Sequence, residues 1–226
     1  MMNVFWFIHK MPLKVKTSLV EFTGLVCPFR AGVFGSTRTG KTTLIYNILK
    51  NNMIQGKVNN IYYAYPQDFS NEPPDWHADL PYDIEYIDFL PDLDFIQSVE
   101  EDSILILDDF WLEACKSKVI RNIFTSVSGK RNISVFITSQ NPYDGSLNAR
   151  TIRNNLNYYF LFKNLGDHQI NKRLCQQLGY VKQYNKALTR MNNDPRGFVM
   201  INLDVNLKYE QLRVMTNIFD DPLVYV

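Results

Sequence analysis

The sequence has almost no excess charge: 24 lysines and arginines stand against 23 acids, a net charge of +1. Such a balance gives no global pull toward a polyanion, so any nucleic-acid contact has to come from local basic clusters. Cysteine is scarce. Cys27, Cys115 and Cys175 are scattered and odd in number, with no C-x-x-C spacing, which argues against a disulfide framework and for reduced thiols inside a cell. The three histidines, His9, His77 and His168, do not cluster with them, so a structural zinc site is not expected. Long apolar runs are missing too. The apolar start Met2-Asn3-Val4-Phe5-Trp6-Phe7-Ile8 is too short to span a bilayer and lacks the flanks of a secretory signal. No membrane contact is expected, and Met11 is an alternative start. There is no internal repeat and no low-complexity tract. What remains is a 226-residue chain, 46% apolar and rich in aromatics, a composition that builds a packed core. One domain over 1–226 is expected, with 1–29 as an N-terminal extension and edge strand (Phe22 to Phe29) and 30–226 as the working core.

The most specific segment is Gly35-Ser36-Thr37-Arg38-Thr39-Gly40-Lys41-Thr42-Thr43, which satisfies the G-x-x-x-x-G-K-[ST] phosphate-loop pattern. Gly35 and Gly40 let the backbone curl and turn its N–H groups inward. Lys41 brings a cation to the β- and γ-phosphates, and the Thr42 hydroxyl can ligate Mg²⁺. The loop follows a strand ending Ala31-Gly32-Val33-Phe34 and precedes an amphipathic run, Leu44 to Leu49, that places it on a helix N-terminus. Residues Gly35 to Thr43 are therefore the expected ATP-binding segment.

Further along, strands are expected at Asn60 to Tyr65, Ile84 to Phe89, Ser103 to Leu107, Ile133 to Thr138, Tyr158 to Phe162 and Gly197 to Leu203. Helices are expected over Leu93–Val99, Trp111–Ser126 and Gln169–Leu178, and an exposed acidic, proline-rich loop over 67–83. Strands alternating with helices imply a three-layered α/β fold around a mostly parallel sheet, of the P-loop NTPase kind. After Ser103, Ile104 to Leu107 is apolar throughout, as a strand buried on both faces must be, and ends in Asp108-Asp109. Asp108 is placed to hold Mg²⁺, and Asp109 to activate an attacking water, unless the pair merely caps the next helix. Gln140 ends the following strand, where it can sense the γ-phosphate or serve only as a turn residue. Arg121, Arg131, Arg150 and Arg153 are candidates for an arginine supplied to a neighbouring subunit's nucleotide, or for contacts to DNA phosphates.

Taken together these segments resemble the genome-packaging ATPases of the FtsK/HerA superfamily, including polinton- or adintovirus-like and poxvirus-type enzymes. The resemblance runs through the phosphate loop, Ile61-Tyr62-Tyr63, Leu105 to Phe110, and Arg131-Asn132-Ile133-Ser134-Val135-Phe136-Ile137-Thr138-Ser139-Gln140-Asn141. It extends over Arg150-Thr151-Ile152, Tyr158 to Lys163 and Gly197 to Leu203, with Leu212-Arg213 and Ile218-Phe219 in the tail. It departs at Gly129-Lys130, where such proteins often carry two histidines, and at Gly166-Asp167, where an Arg-Asp is usual. The resemblance implies a RecA- or FtsK/HerA-like fold, Gln140 as sensor, and Arg131, then Arg150, as the arginine acting in trans. It also implies a homo-oligomeric ring that uses ATP and Mg²⁺ to drive double-stranded DNA into a preformed capsid through a portal or vertex protein, inside a host cell. A P-loop nucleoside or polynucleotide kinase, a phage-type assembly ATPase and a nucleotide-binding scaffold are the competing readings.

Overall fold

The computed structural model describes residues 22–67, 74–76, 79–143, 147–163, 168–191, 194 and 196–226. At its centre lies β2, Arg30–Phe34, whose residues from Ala31 onward are all buried. It pairs in parallel with β7, Ser134–Ser139, on one side and with β8, Tyr158–Phe162, on the other. Beyond β7 the parallel array continues through β6 (Ile104–Leu107), β4 (Asn60–Ala64) and β5 (Asp83–Ile87). Beyond β8 the direction reverses, with β9 (Phe198–Asn202), β10 (Val214–Thr216) and β11 (Leu223–Val224) all antiparallel to their neighbours. The nine-stranded order is thus β11-β10-β9-β8-β2-β7-β6-β4-β5, six parallel strands extended by an antiparallel flank.

The strand pleat sends alternate residues to opposite faces, so both faces need cover. Leu105 and Leu107 of β6 join a core with Trp111, Ala114, Ile120, Ile152, Leu174 and Tyr184. These come from α3 (Trp111–Lys116), α4 (Lys118–Asn122), α6 (Leu147–Asn154), α7 (His168–Leu178) and α8 (Val181–Met191). α2 (Leu93–Ser98) adds Ile96 to the same core. Ile104 and Ile106 face the other way, onto Leu44, Ile45 and Ile48 of α1 (Lys41–Lys50). The result is the expected three layers.

Several local expectations change. The segment Trp111–Ser126 is not one helix. Ser117 takes an extended conformation that ends α3, and its hydroxyl accepts the Ile120 N–H at 3.2 Å to start α4. The next turn, Ile123–Val127, is widened to π geometry before α5, Ser128–Arg131. Thr125 and Ser126 donate their hydroxyls to carbonyls of Arg121 and Asn122, a side-chain intrusion that loosens the α ladder. Residues Phe22 to Phe29 do not add an edge strand to the main sheet. Leu25–Val26 (β1) pairs instead with Ile54–Gln55 (β3) in a separate two-stranded ribbon; residues 1–21 lie outside the described residues. In the proline-rich segment, Trp76 and Leu80 are buried. The indole sits 5.8 Å from the Tyr46 ring and 5.1 Å from that of Tyr63, so these two residues pack inward while Asp75, Asp79 and Pro81 are exposed; 68–73, 77 and 78 lie outside the described residues.

Candidate functional site

In a parallel sheet the carboxyl ends of the strands share one edge, and connections leaving them build the site. The central strand β2 ends at Phe34 and the phosphate loop follows at once. Gly35 donates its N–H to Ser139 O at 3.0 Å, tying the loop to the end of β7. A β-carbon at Gly35 would lie 2.6 Å from Phe162 Cβ, so only glycine fits between the strand ends. Thr39 closes a tight turn through its hydroxyl onto Ser36 O at 2.8 Å. Arg38 (φ 63°) and Gly40 (φ 102°) take left-handed conformations that reverse the chain into α1. No side chain caps that helix and its first turn holds no acid, which leaves its N-terminal N–H groups to an anion. Thr37 and Arg38 are exposed, and Thr43 is exposed on the first turn of α1.

Lys41 is the buried cation of this loop, 8% exposed. Its ammonium donates to Gly35 O at 3.0 Å and Ser36 O at 3.2 Å. Burial pushes its pKa below the ordinary lysine value, against the opposing pull of the Asp109 and Asp108 carboxylates. An incoming polyanion supplies what the burial removes.

Asp108 follows β6, two strands from β2, and is the hub of the site. Thr42 Oγ1 donates to its Oδ2 at 3.3 Å, Tyr63 Oη donates to the same oxygen, and Thr138 Oγ1 donates to Oδ1 at 2.6 Å. The loop, β4, β6 and β7 therefore converge on one carboxylate. Among the described residues no cluster of three acids, histidines or cysteines preassembles a metal cage. One carboxylate and one hydroxyl facing the phosphate loop is the sparse oxygen set that suits Mg²⁺, which keeps its waters and shares phosphate oxygens. Thr42 and Asp108 fit that ion.

Asp109 adopts φ 55° and is exposed. Its N–H donates to Thr138 Oγ1 at 2.9 Å, so one hydroxyl fixes both acids. Asp109 and Gln140 line the same open cavity of about 480 Å³ with Pro66, Trp111 and Asn141. The sequence-derived acid and sensor thus share one space at the sheet edge.

The arginines separate. Arg131 lies before β7, at the opposite edge of the sheet, and its guanidinium donates to Ile96 O at 2.6 Å and to Val99 O. It caps the end of α2 within its own chain. Arg150 is exposed on α6. Arg153 donates to Pro142 O and stacks 4.4 Å over the Tyr143 ring, which Arg173 covers at 5.0 Å. These two hold the segment following Gln140.

Tyr63 and Thr138 were not among the sequence candidates. The strand pairing carries the signal: Tyr63 lies beside Ile106 of β6, two residues before Asp108. A second cavity, about 390 Å³, opens on the other side of the loop beside Thr39, Gly40 and Thr43.

Neither a family model nor a curated protein matches the sequence. The fold does match solved structures. The DNA-packaging ATPase B204 from Sulfolobus Turreted Icosahedral Virus superposes with a TM-score of 0.54 at 11% identity, covering 78% of this chain and 93% of that one. The genome packaging NTPase B204 from Sulfolobus turreted icosahedral virus 2 gives 0.52 at 11% identity in complex with AMPPCP, and 0.51 at 12% with ATP-gammaS, at the same coverage. At such identities the likeness is one of fold, that of a P-loop NTPase with a mostly parallel central sheet.

Proposed function

We propose that this chain is an ATP-driven motor of the FtsK/HerA type that moves double-stranded viral DNA into a preformed capsid. The observation that carries this reading is the convergence on Asp108: a phosphate loop, a magnesium-type oxygen pair and a second acid meet a polar strand end at one sheet edge. The match to folds that include packaging NTPases solved with ATP-gammaS and AMPPCP supports the choice among P-loop activities.

In the proposed cycle, ATP phosphates lie against the N–H groups of Gly35 to Thr43 and draw the Lys41 ammonium off its loop carbonyls. Thr42 and Asp108 would hold Mg²⁺, which neutralises phosphate charge when bound. Asp109 accepts a proton from the attacking water, and Gln140 orients that water and responds to loss of the γ-phosphate. Motors of this kind offset transition-state charge with an arginine in addition to the loop lysine, here Lys41. A neighbouring copy in a ring supplies the missing arginine, with Arg150 as the candidate. Grip on phosphates rather than base edges makes translocation indifferent to sequence. Among the described residues no helix is long and apolar enough to cross a membrane, and the proposed setting is the host-cell interior with a capsid or portal partner.

The reading is tested by ATP-dependent displacement of a triplex-forming strand from long double-stranded DNA. Displacement that needs ATP hydrolysis and is indifferent to the sequence of the track is expected. Phosphate transfer to a nucleoside or polynucleotide end, with no displacement, would establish the kinase instead.

A further inference from the structure

The antiparallel flank does something a purely parallel sheet could not. Because β9 and β11 run opposite to β8, their first residues lie at the phosphate-loop edge, as does the end of β10. Phe198, Asn217 and Phe219 are thereby brought beside the loop, with Arg190 from the last turn of α8. Together with Phe162 and the α1 residue Asn47 they wall the cavity of about 390 Å³ that abuts Thr39, Gly40 and Thr43. Its volume falls in the range that encloses a small organic ligand, roughly 300–1,000 Å³.

The lining has a definite chemistry. Phe162 and Phe198 have ring centroids 5.4 Å apart, and Phe198 and Phe219 6.2 Å, a chain of π-surfaces along one wall. Arg190, Asn217 and Asn47 place donors and acceptors around it. Stacking on aromatic rings with polar groups at the edge is how proteins hold a nucleobase. Position supports the same occupant. Asp109 and Gln140 mark the cavity on one side of the loop as the γ-phosphate end, so the other end of a triphosphate leaves toward the aromatic cavity.

We propose that this cavity is the nucleoside subsite, with the base stacked on the Phe198–Phe219 wall and Arg190, Asn217 and Asn47 meeting the base edge and ribose. The assignment rests on reading the Lys41–Asp108 site as the triphosphate site. The flank β9–β11 then belongs to the nucleotide site, and base binding ties the end of the chain to the loop.

Calorimetric binding of ATP-gammaS and of inorganic tripolyphosphate, each with Mg²⁺, is measured on the full chain and on Phe219→Ala and Phe219→Tyr. The alanine variant should weaken ATP-gammaS by roughly fivefold to a hundredfold while tripolyphosphate affinity stays unchanged, and the tyrosine variant should restore binding. Photolabelling of the unaltered chain with 8-azido-ATP, which does not depend on any variant folding, should mark peptides carrying Arg190, Phe198 or Phe219. Label confined to peptides with Pro66, Trp111 or Gln140, or equal loss of both ligands in a folded Phe219→Ala, overturns the subsite alone. A chain that binds neither ligand overturns the triphosphate site and the subsite with it.

Discussion

At the scale of single residues, Thr138 has the largest organising role. It is fully buried, donates to Asp108 and accepts from the Asp109 backbone. Thr138→Val keeps the shape and deletes both bonds. We expect it to lower ATP hydrolysis about tenfold to a hundredfold, the scale of losing orientation in an otherwise intact site, with Thr138→Ser near the wild-type rate. Steady-state kinetics on the two variants checks this. Lys41 gives a prediction of opposite sign for stability. Its pKa is lowered by burial, so at neutral pH both folded and unfolded chains carry the charge and the folded one bears the cost. That cost fades as pH rises through the lowered pKa toward the ordinary lysine value near 10.5. Lys41→Met should therefore melt at or above the wild-type temperature near pH 7, yet gain nothing from Mg-ATP. The wild type should gain about 2.7 kcal/mol at a nucleotide concentration a hundred times Kd. Thermal melting with and without nucleotide reads both. Asp109 shows why a conservative variant matters here: its φ of 55° is one that asparagine tolerates and alanine resists.

Among secondary-structure elements, the strand ends were legible and the helices less so. A buried parallel strand announces itself by continuous apolarity, as Ile104 to Leu107 does, and its terminal acids follow directly. The break at Ser117 was hidden because serine both ends one helix and caps the next without disturbing the apolar spacing. α6 and α8 went unread, since α6 sits in a basic, polar stretch and α8 buries only Tyr184, Ala187 and Met191. The ring of Tyr63 is buried like any core aromatic; only the pairing of β4 with β6 reveals where its hydroxyl goes. Arg131 is a related case: sequence shows a basic residue before a strand but not the end of the sheet on which it falls. Its bonds to the α2 carbonyls predict that Arg131→Gln lowers stability by about 1–3 kcal/mol. The rate of hydrolysis per folded molecule should stay unchanged, measurable by denaturant unfolding beside kinetics. A large loss of rate with intact stability would return it to the catalytic interface.

For the whole molecule, the site is assembled from segments separated by a hundred residues of sequence, and the sheet is what joins them. β6, β7 and β2 are neighbours, so the acid, the sensor and the phosphate loop share an edge, while the antiparallel flank closes the other side. The proposed ring adds a second requirement, because it assigns Arg150 to the nucleotide of another copy. Hydrolysis per chain should then rise steeply with protein concentration, and Arg150→Ala chains mixed with Asp109→Asn chains should regain part of the rate that either lacks alone. Gradual dilution followed by rate measurement checks the first point, and mixing the second. The central claim is tested most directly by steady-state ATP hydrolysis with and without long double-stranded DNA, wild type beside Asp109→Asn. The account predicts a rate raised by DNA and a variant slower by about a hundredfold or more. Hydrolysis indifferent to DNA, or an Asp109→Asn chain as fast as wild type, would contradict it.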